Sequence, residues 1–474
     1  MHTSRLRLLF AFAVLLWAVR AHAQDACTSV PAASPPNRKV VISDLHLGSG
    51  RDSKSNAWQP LEDFRFAPSF HAFLDHVAAG GSTDLIIAGD FIDFWQVIPE
   101  LDAARPSDEG ASEQESVRKL AIVLNAHRDT FQALKRFAST GRNRVVVVPG
   151  NHDVDLAWPA VQKQLKAAIQ PSEGRVHIAS PCYEADGIHV EHGHQFDEAN
   201  RFAHPAQPFT TVQGVRRLET NWGTTFMSRF YNEVERRRSF IDNLYPEVAT
   251  AVLALRHESA QAFSLPQAGR LAVMLARDQK ALDNLGFLVR TLGSSEPAPT
   301  PKRKTLEELL KLYKDADPEL GAALDRQLQE SARRSDADAA LAAIDPADWR
   351  NLQAGIVKAP TTLGAAAGID ALLQGARRIV VRNPSIYAVI MGHSHETDRT
   401  DVTRLPDVGP VDKWYVNTGC WQKVLAIREV RARNISWGNL NIDDDTQFPL
   451  RFSYVVIEQR EGRFQKPERF FWTK

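Results

Sequence analysis

Short β-branched runs bounded by Gly and Asp alternate with stretches of helical spacing through the first two hundred residues. Residues 39–42, 85–88 and 145–148 are such runs and predict three buried strands, and 177–178 and 188–190 add two shorter ones. Between them, residues 66–77, 116–139 and 159–169 carry apolar positions at helical spacing and predict helices. Strands alternating with helices point to an α/β sheet.

The character changes near residue 199. From there to 376 the strand signal is weak, and the spacing predicts helices over 214–257, 267–292, 306–315, 318–343 and 362–377. A Pro/Ser-rich linker lies at 293–301. The β pattern returns at 379–381, 387–390, 414–416, 424–427 and 452–458. The expected organisation is one α/β domain in two parts, 39–198 and 377–474, interrupted by an all-helical insertion over 199–376 that would cap it. At 474 residues the chain exceeds what one ordinary core accommodates, in keeping with a large domain plus an accessory region. No internal repeat is visible.

Five polar motifs follow predicted strands, where α/β sheets place their ligands. They are Asp44-Leu45-His46, Gly89-Asp90-Phe91-Ile92-Asp93, Gly150-Asn151-His152-Asp153, His192-Gly193-His194 and Gly392-His393-Ser394-His395. Each alone is weak; five at strand ends are a rare coincidence. Asp, Asn and His supply hard and borderline donors of the kind that hold paired Mn, Fe or Zn ions, not a soft thiolate site. The flanking glycines permit the tight turns that bring several strand ends together. No Gly-x-Ser-x-Gly elbow, P-loop or His-Glu-x-x-His helix suggests other chemistry.

Composition narrows the class. With 43% apolar and 24% charged residues, the chain reads as an ordinary soluble globular protein. Arg5 and Arg7 precede an apolar run over 8–19 and an Ala21-His22-Ala23 cleavage pattern, so 1–23 reads as a signal peptide and 24–38 as an N-terminal arm. The expected location is periplasmic or secreted, with no membrane-spanning segment in the mature chain. Formal net charge is +0 and falls to about −3 once Arg5, Arg7 and Arg20 are cleaved away, which leaves no electrostatic footprint for nucleic acid. Of three cysteines, Cys27 and Cys182 are candidates for one bridge holding the N-terminal arm, and Cys420 reads as a small buried residue.

The ordered motif set resembles the calcineurin-like metallophosphoesterase superfamily over the two parts of the α/β domain. The resemblance implies a four-layer α/β/β/α sandwich and two divalent metal ions (Mn, Fe, Zn or similar). It implies Asp44, His46 and His395 on one ion, Asn151, His192 and His393 on the other, and Asp90 bridging both. His192 fits the family ligand better than His194 because it directly follows its strand. The counterpart of His152 faces the leaving group and that of Asp93 orients its ring, which implies a general acid and its partner. Asn417-Thr418-Gly419 resembles a turn common in the family. Purple acid phosphatases carry a metal-binding Tyr at the position of Asp93, so a tyrosinate site is not expected.

The segments 42–48 and 89–95 resemble the UDP-2,3-diacylglucosamine diphosphatase branch in scaffold, although that branch often carries Arg at the position of His152 and acts in the cytoplasm. The implied activity is hydrolysis of phosphomonoester, phosphodiester or diphosphate bonds in a small phosphorylated substrate, nucleotide or lipid-linked compounds included. The alternatives are a dinuclear hydrolase of non-phosphate esters or amides and a catalytically silent binding protein. Arg216, Arg217, Arg236, Arg237 and Arg238 read either as a substrate surface or as a solvated helix face paired with Glu219, Glu233 and Glu235, the second reading being preferred.

Overall fold

The computed structural model describes residues 27–28, 30, 36–99, 109–197, 199–245, 250, 365–395, 397, 402–406, 408 and 412–474. The signal peptide, the helices expected over 267–292, 306–315 and 318–343, and the linker at 293–301 lie outside them.

In chain order come β1 (Arg38–Ile42), α1 (Ala67–Ala79), β2 (Thr83–Ala88), α2 (Glu113–Ala126), α3 (Arg128–Ser139) and β3 (Arg144–Val148). Next are α4 (Pro159–Ile169), β4 (Val176–Ile178), β5 (Tyr183–Ala185), β6 (Ile188–Val190), β7 (Phe209–Val212) and β8 (Val215–Leu218). Then follow α5 (Trp222–Phe226), α6 (Asn232–Glu235), β9 (Leu244–Tyr245), α7 (Ala365–Arg382), β10 (Ala388–Met391) and β11 (Thr403–Leu405). The chain closes with β12 (Lys413–Asn417), β13 (Leu425–Ala426), α8 (Ile427–Ala432), β14 (Phe452–Arg460), β15 (Arg463–Phe464) and β16 (Glu468–Trp472).

The result is a mixed α/β fold with two principal sheets. One has the order β15-β14-β1-β2-β3-β4, with β16 also paired to β14. Its strands β1 to β4 run parallel, and β14 joins β1 antiparallel. The second sheet has the order β11-β12-β10-β6-β5, with β6, β10 and β12 parallel.

Alternation along each strand divides the core. Val40, Ile42, Leu85, Ile87, Val145 and Val147 pack with Phe70, Leu120, Leu134 and Leu165 of the helices. Val41, Ile86, Val146 and Val148 point the other way and share a cluster with Ile188, Val190, Ala388, Ile390 and Val416 of the second sheet. The remaining faces of β10 and β12, through Val389, Met391 and Tyr415, meet Leu372, Ala376 and Val380 of α7. Strands apolar on both faces are therefore explained by two buried sides, each fully buried Val or Ile contributing about 1.5–3 kcal/mol.

Four expectations change. The helix expected over 116–139 is two, α2 and α3, broken at His127, whose backbone leaves the helical region and whose ring reaches buried Glu62 at 3.3 Å. The strand expected at 379–381 is the last turn of α7, because a three-residue apolar run cannot distinguish the two periods and Val380 is buried against the second sheet. The residues of 424–427 divide between β13 and the start of α8.

The long helix expected from 214 is also replaced. Residues 209–218 form the hairpin β7–β8, turned by Gln213 and Gly214 at φ 51° and 79°. The short helices α5 and α6 follow, joined by one π-helical turn over Met227–Tyr231. Two of its arginines find other partners than those expected. Arg216 lies over the Phe209 ring at 3.9 Å, and Arg217 pairs with Glu109 and Glu115. Glu235 is buried, not on a solvated face.

Cys27 and Cys182 form a disulfide beside the bridge between Thr28 and Tyr183. Cys420 is free and buried, and burial pushes its thiol pKa up, which removes it as a nucleophile.

Candidate metal centre

Parallel strands end on the same side, so the loops after β1, β2 and β3 of one sheet and β6 and β10 of the other meet. Their backbones are laced together. Leu45 N and His46 N both donate to Asp90 O at 2.9 Å, Gly392 N donates to His192 O at 3.0 Å, and His393 N donates to Asp44 Oδ2 at 3.2 Å. Gly89, at φ +89°, has to be glycine for a second reason, since a Cβ there would lie 2.3 Å from His192 Nδ1.

The lacing twists the backbone at the candidate ligand residues. Asp44, His46, Asp90, His393 and His395 have φ of 56°, 50°, 50°, 73° and 50°, a region costing non-glycine residues about 1–3 kcal/mol each. They are five of the ten non-glycine residues with positive φ among those described, so backbone strain is concentrated where side chains must be aimed.

Two groups of side chains result, with ligand atoms within 4.8 Å of one another. One is Asp44, His46, Asp90 and His395; the other is Asp90, His192 and His393. Asp90 is common to both. Its Oδ2 lies 3.7 Å from His46 Nε2 and 2.9 Å from His192 Nε2, while His395 Nε2 lies 3.1 Å from Asp44 Oδ1. His192 Nδ1 donates to Ala88 O at 2.9 Å and His46 Nδ1 donates to Asp93 Oδ2 at 2.9 Å, so both rings turn Nε2 toward Asp90. Asn151 Oδ1 is buried and makes no hydrogen bond among the described residues, while buried Asp44 Oδ1, His46 Nε2 and His192 Nε2 face the carboxylates and rings of this same group. Buried acceptors and ring nitrogens facing one carboxylate require positive charge between them, from protons or from cations.

Without cations, the protons fill that role. Burial would lower the His192 imidazole, but Asp90 and Asp44 push it up to about 9. Burial would raise the Asp90 carboxyl, but His192 and His152 hold it well below the usual range.

His152 stands beside this group. Its Nδ1 donates to Asp93 Oδ2 at 2.7 Å, its backbone N donates to Asp90 Oδ1 at 2.9 Å, and its ring stacks on Trp95 with centroids 4.1 Å apart. Burial would lower the His152 pKa, but Asp93 and Asp90 push it up to about 10. Asp93 Oδ2 thus serves His46 and His152 together, and its Oδ1 accepts from Gln96 N at 3.0 Å, so the carboxylate also caps a turn. Burial would raise the Asp93 carboxyl, but His152 and His46 hold it below the usual range.

His194 is apart from both metal-type groups, near Gln195 and the Phe202 ring, and burial with neighbouring imidazoles keeps it neutral.

Sequence reasoning missed three sets of residues. Asp197 accepts from His393 Nε2 at 3.1 Å. Trp95 covers one face of His152. Asp63, Glu235 and Asp242 form a further buried carboxylate group, to which Gln96 Nε2 donates at 2.7 Å (Glu235) and 3.0 Å (Asp242). Burial raises Asp63 to about 6 and Glu235 well above the ordinary value.

Residues 38–261 match the family model described as Calcineurin-like phosphoesterase. This segment belongs to the calcineurin-like phosphoesterases. The match includes the first four motifs; the fifth, Gly392-His393-Ser394-His395, lies beyond it and is brought to the same place by the second sheet. Calcineurin-like phosphoesterases are metal-dependent and act on small phosphoester substrates, so membership supports phosphoric ester hydrolysis. No curated protein matches the chain. Among the described residues no helix is long and apolar enough to cross a membrane.

Proposed function

We propose that this calcineurin-like phosphoesterase is an exported dinuclear hydrolase. Asp44, His46 and His395 hold one divalent cation, Asn151, His192 and His393 hold a second, and Asp90 bridges them. The observation carrying this reading is the approach of His46 Nε2 and His192 Nε2 to the single oxygen Asp90 Oδ2. The buried, unpaired Asn151 Oδ1 and the strain at five of the seven ligands support it further. The donor set of carboxylate, carboxamide and imidazole suits Mn, Fe or Zn.

Bound there, two cations would supply neutralisation of a phosphoryl group's developing charge and a water acidic enough to ionise near neutral pH. The chain's own residues do the rest. Only Asp44 and Asp90 among the seven ligands are anionic, so the filled site retains positive charge for a phosphate. His152 gives a proton to the departing alkoxide. Asp93 engages its Nδ1, which leaves Nε2 as the donating nitrogen, and Trp95 fixes the plane of the ring. Asp93, Asp90 and Asp242 also favour the imidazolium before the proton is needed.

The signal-like residues 1–23 and the Cys27–Cys182 disulfide support a location outside the cytoplasm. The segment from 199 to 376 acts as a cap in this reading. Its Asn232 donates to Trp95 O at 3.3 Å and its Glu235 accepts from Gln96, which fastens the described part, 199–245, beside His152.

The test is metal content of the purified mature chain together with hydrolysis of bis-p-nitrophenyl and p-nitrophenyl phosphate after Mn²⁺ addition. Two metals per chain and chelator-sensitive turnover are expected, and the ratio of the two rates reports diester or monoester preference. No stoichiometric metal after reconstitution refutes the proposal.

A further inference from the structure

The strongest unassigned feature lies where the chain leaves the second sheet. Asp197, just past the short turn His194–Phe196 that follows His192, accepts from His393 Nε2 at 3.1 Å. The same oxygen, Oδ2, accepts from Asn200 Nδ2 at 2.7 Å, and Oδ1 accepts from Ala199 N at 2.9 Å. Asn200 Oδ1 in turn lies 3.5 Å from Asn151 Nδ2. One short chain of polar contacts therefore runs from His393 through Asp197 and Asn200 to Asn151.

Its ends are two side chains assigned to the same cation, and each contact determines which atom that side chain presents. Asp197 occupies Nε2 of His393, which leaves Nδ1 as its free nitrogen. Asn200 engages the amino group of Asn151, which leaves the buried, unpaired Oδ1 as its free donor atom. Partners of this kind fix ligand orientation, and their loss typically weakens a metal by 10–100-fold.

The relay is itself held from the following segment. Asn221 Nδ2 donates to Asn200 O at 2.6 Å, Gly223 N donates to Ala199 O at 2.9 Å, and a Cβ on Gly223 would lie 2.0 Å from Asn200 Oδ1. A side chain at position 223 would therefore displace the Asn200 carboxamide.

We infer that Asp197 and Asn200 are positioning residues for one of the two cations, aligning His393 and Asn151 and linking that ion to the start of the 199–376 segment. The inference rests on the dinuclear reading, so the experiment separates the two. Metal-stripped chain is titrated with Mn²⁺ alone, free Mn²⁺ being followed by its electron paramagnetic resonance signal. Wild type is expected to take two ions.

D197A and N200A should each keep one ion at wild-type affinity and bind the other about 10–100-fold more weakly. D197N, which can still accept from His393, should recover part of the loss. G223A should reproduce N200A without touching any ligand. A thermal melt of each metal-free variant checks that the fold persists. Two ions bound with unchanged affinities in D197A and N200A overturn the inference and leave the dinuclear reading standing. Equal weakening of both ions also overturns it, since that is the signature of general destabilisation. Fewer than two ions in wild type overturns both.

Discussion

Asp93→Asn removes one charge from a fully buried position on which two histidines depend. Asp93 Oδ2 accepts from His46 at 2.9 Å and from His152 at 2.7 Å, and Oδ1 accepts from Gln96 N at 3.0 Å. An asparagine cannot serve all three. With its oxygen toward Gln96, its amino group meets two ring N–H donors; flipped, it meets the Gln96 N–H instead. Hydrogen bonds to a charged group are worth about 1.5–3 kcal/mol each, so roughly 3–6 kcal/mol rests on the two histidine contacts alone. The loss should divide between two readouts. Misalignment of His152 should cost about 10²–10⁴-fold in kcat, the usual contribution of a general acid. Misalignment of His46 should weaken one Mn²⁺ about 10–100-fold. Turnover of a phosphodiester at saturating Mn²⁺ measures the first, and Mn²⁺ titration the second. His152→Ala is the control, losing rate with both metal affinities intact. If Asp93→Asn slows turnover less than tenfold and leaves Mn²⁺ affinity unchanged, Asp93 is only a turn cap at Gln96 and the reasoning fails.

Three further outcomes are expected. His393→Ala should lose one metal and with it turnover, read by elemental analysis; two metals retained would remove His393 from the ligand set. Asp63 is fully buried and its pKa is raised from 3.8 to about 6, a difference worth about 3 kcal/mol. The folded chain therefore keeps that proton longer than the unfolded chain, and stability present below pH 3.8 is lost as pH rises through about 6. In metal-free protein, Asp63→Asn should be clearly more stable than wild type to urea at pH 7.5 and nearly equal at pH 4, and equal stability at both would contradict the shift. The Cys27–Cys182 disulfide closes a separation of 155 residues, so Cys27→Ser/Cys182→Ser should lower stability by about 2–5 kcal/mol in urea melts, and no change would show the bridge to be dispensable.

The sequence by itself determined the local elements and the inventory of chemistry. Runs such as Val145–Val148 can only be buried on both faces, which requires covered parallel strands. Each polar motif directly after such a run is then carried to a strand end, and so Asp44, Asp90, Asn151 and His393 could be named as candidates before any coordinates. Hydrophobic period carries that information because it is local. It failed where the period was too short or competed with a turn: the apolar residues 379–381 became helix, and Gln213-Gly214 turned a presumed helix into a hairpin. Tertiary structure decided everything that depends on which surfaces meet. That Asp93 serves His46 as well as His152, that Trp95 covers the His152 ring, and that Asp197 reaches His393 across 196 residues are consequences of two sheets packing with their strand ends together. The burial of Asp63, Glu235 and Asp242 beside one another is of the same kind. Their sequence neighbourhoods are those of ordinary surface acids, and only the closure of the 199–245 segment over the loops holding Asp63 and Gln96 removes their water. Desolvation and contact between distant segments set the protonation and aim of these groups, and neither is encoded in local spacing.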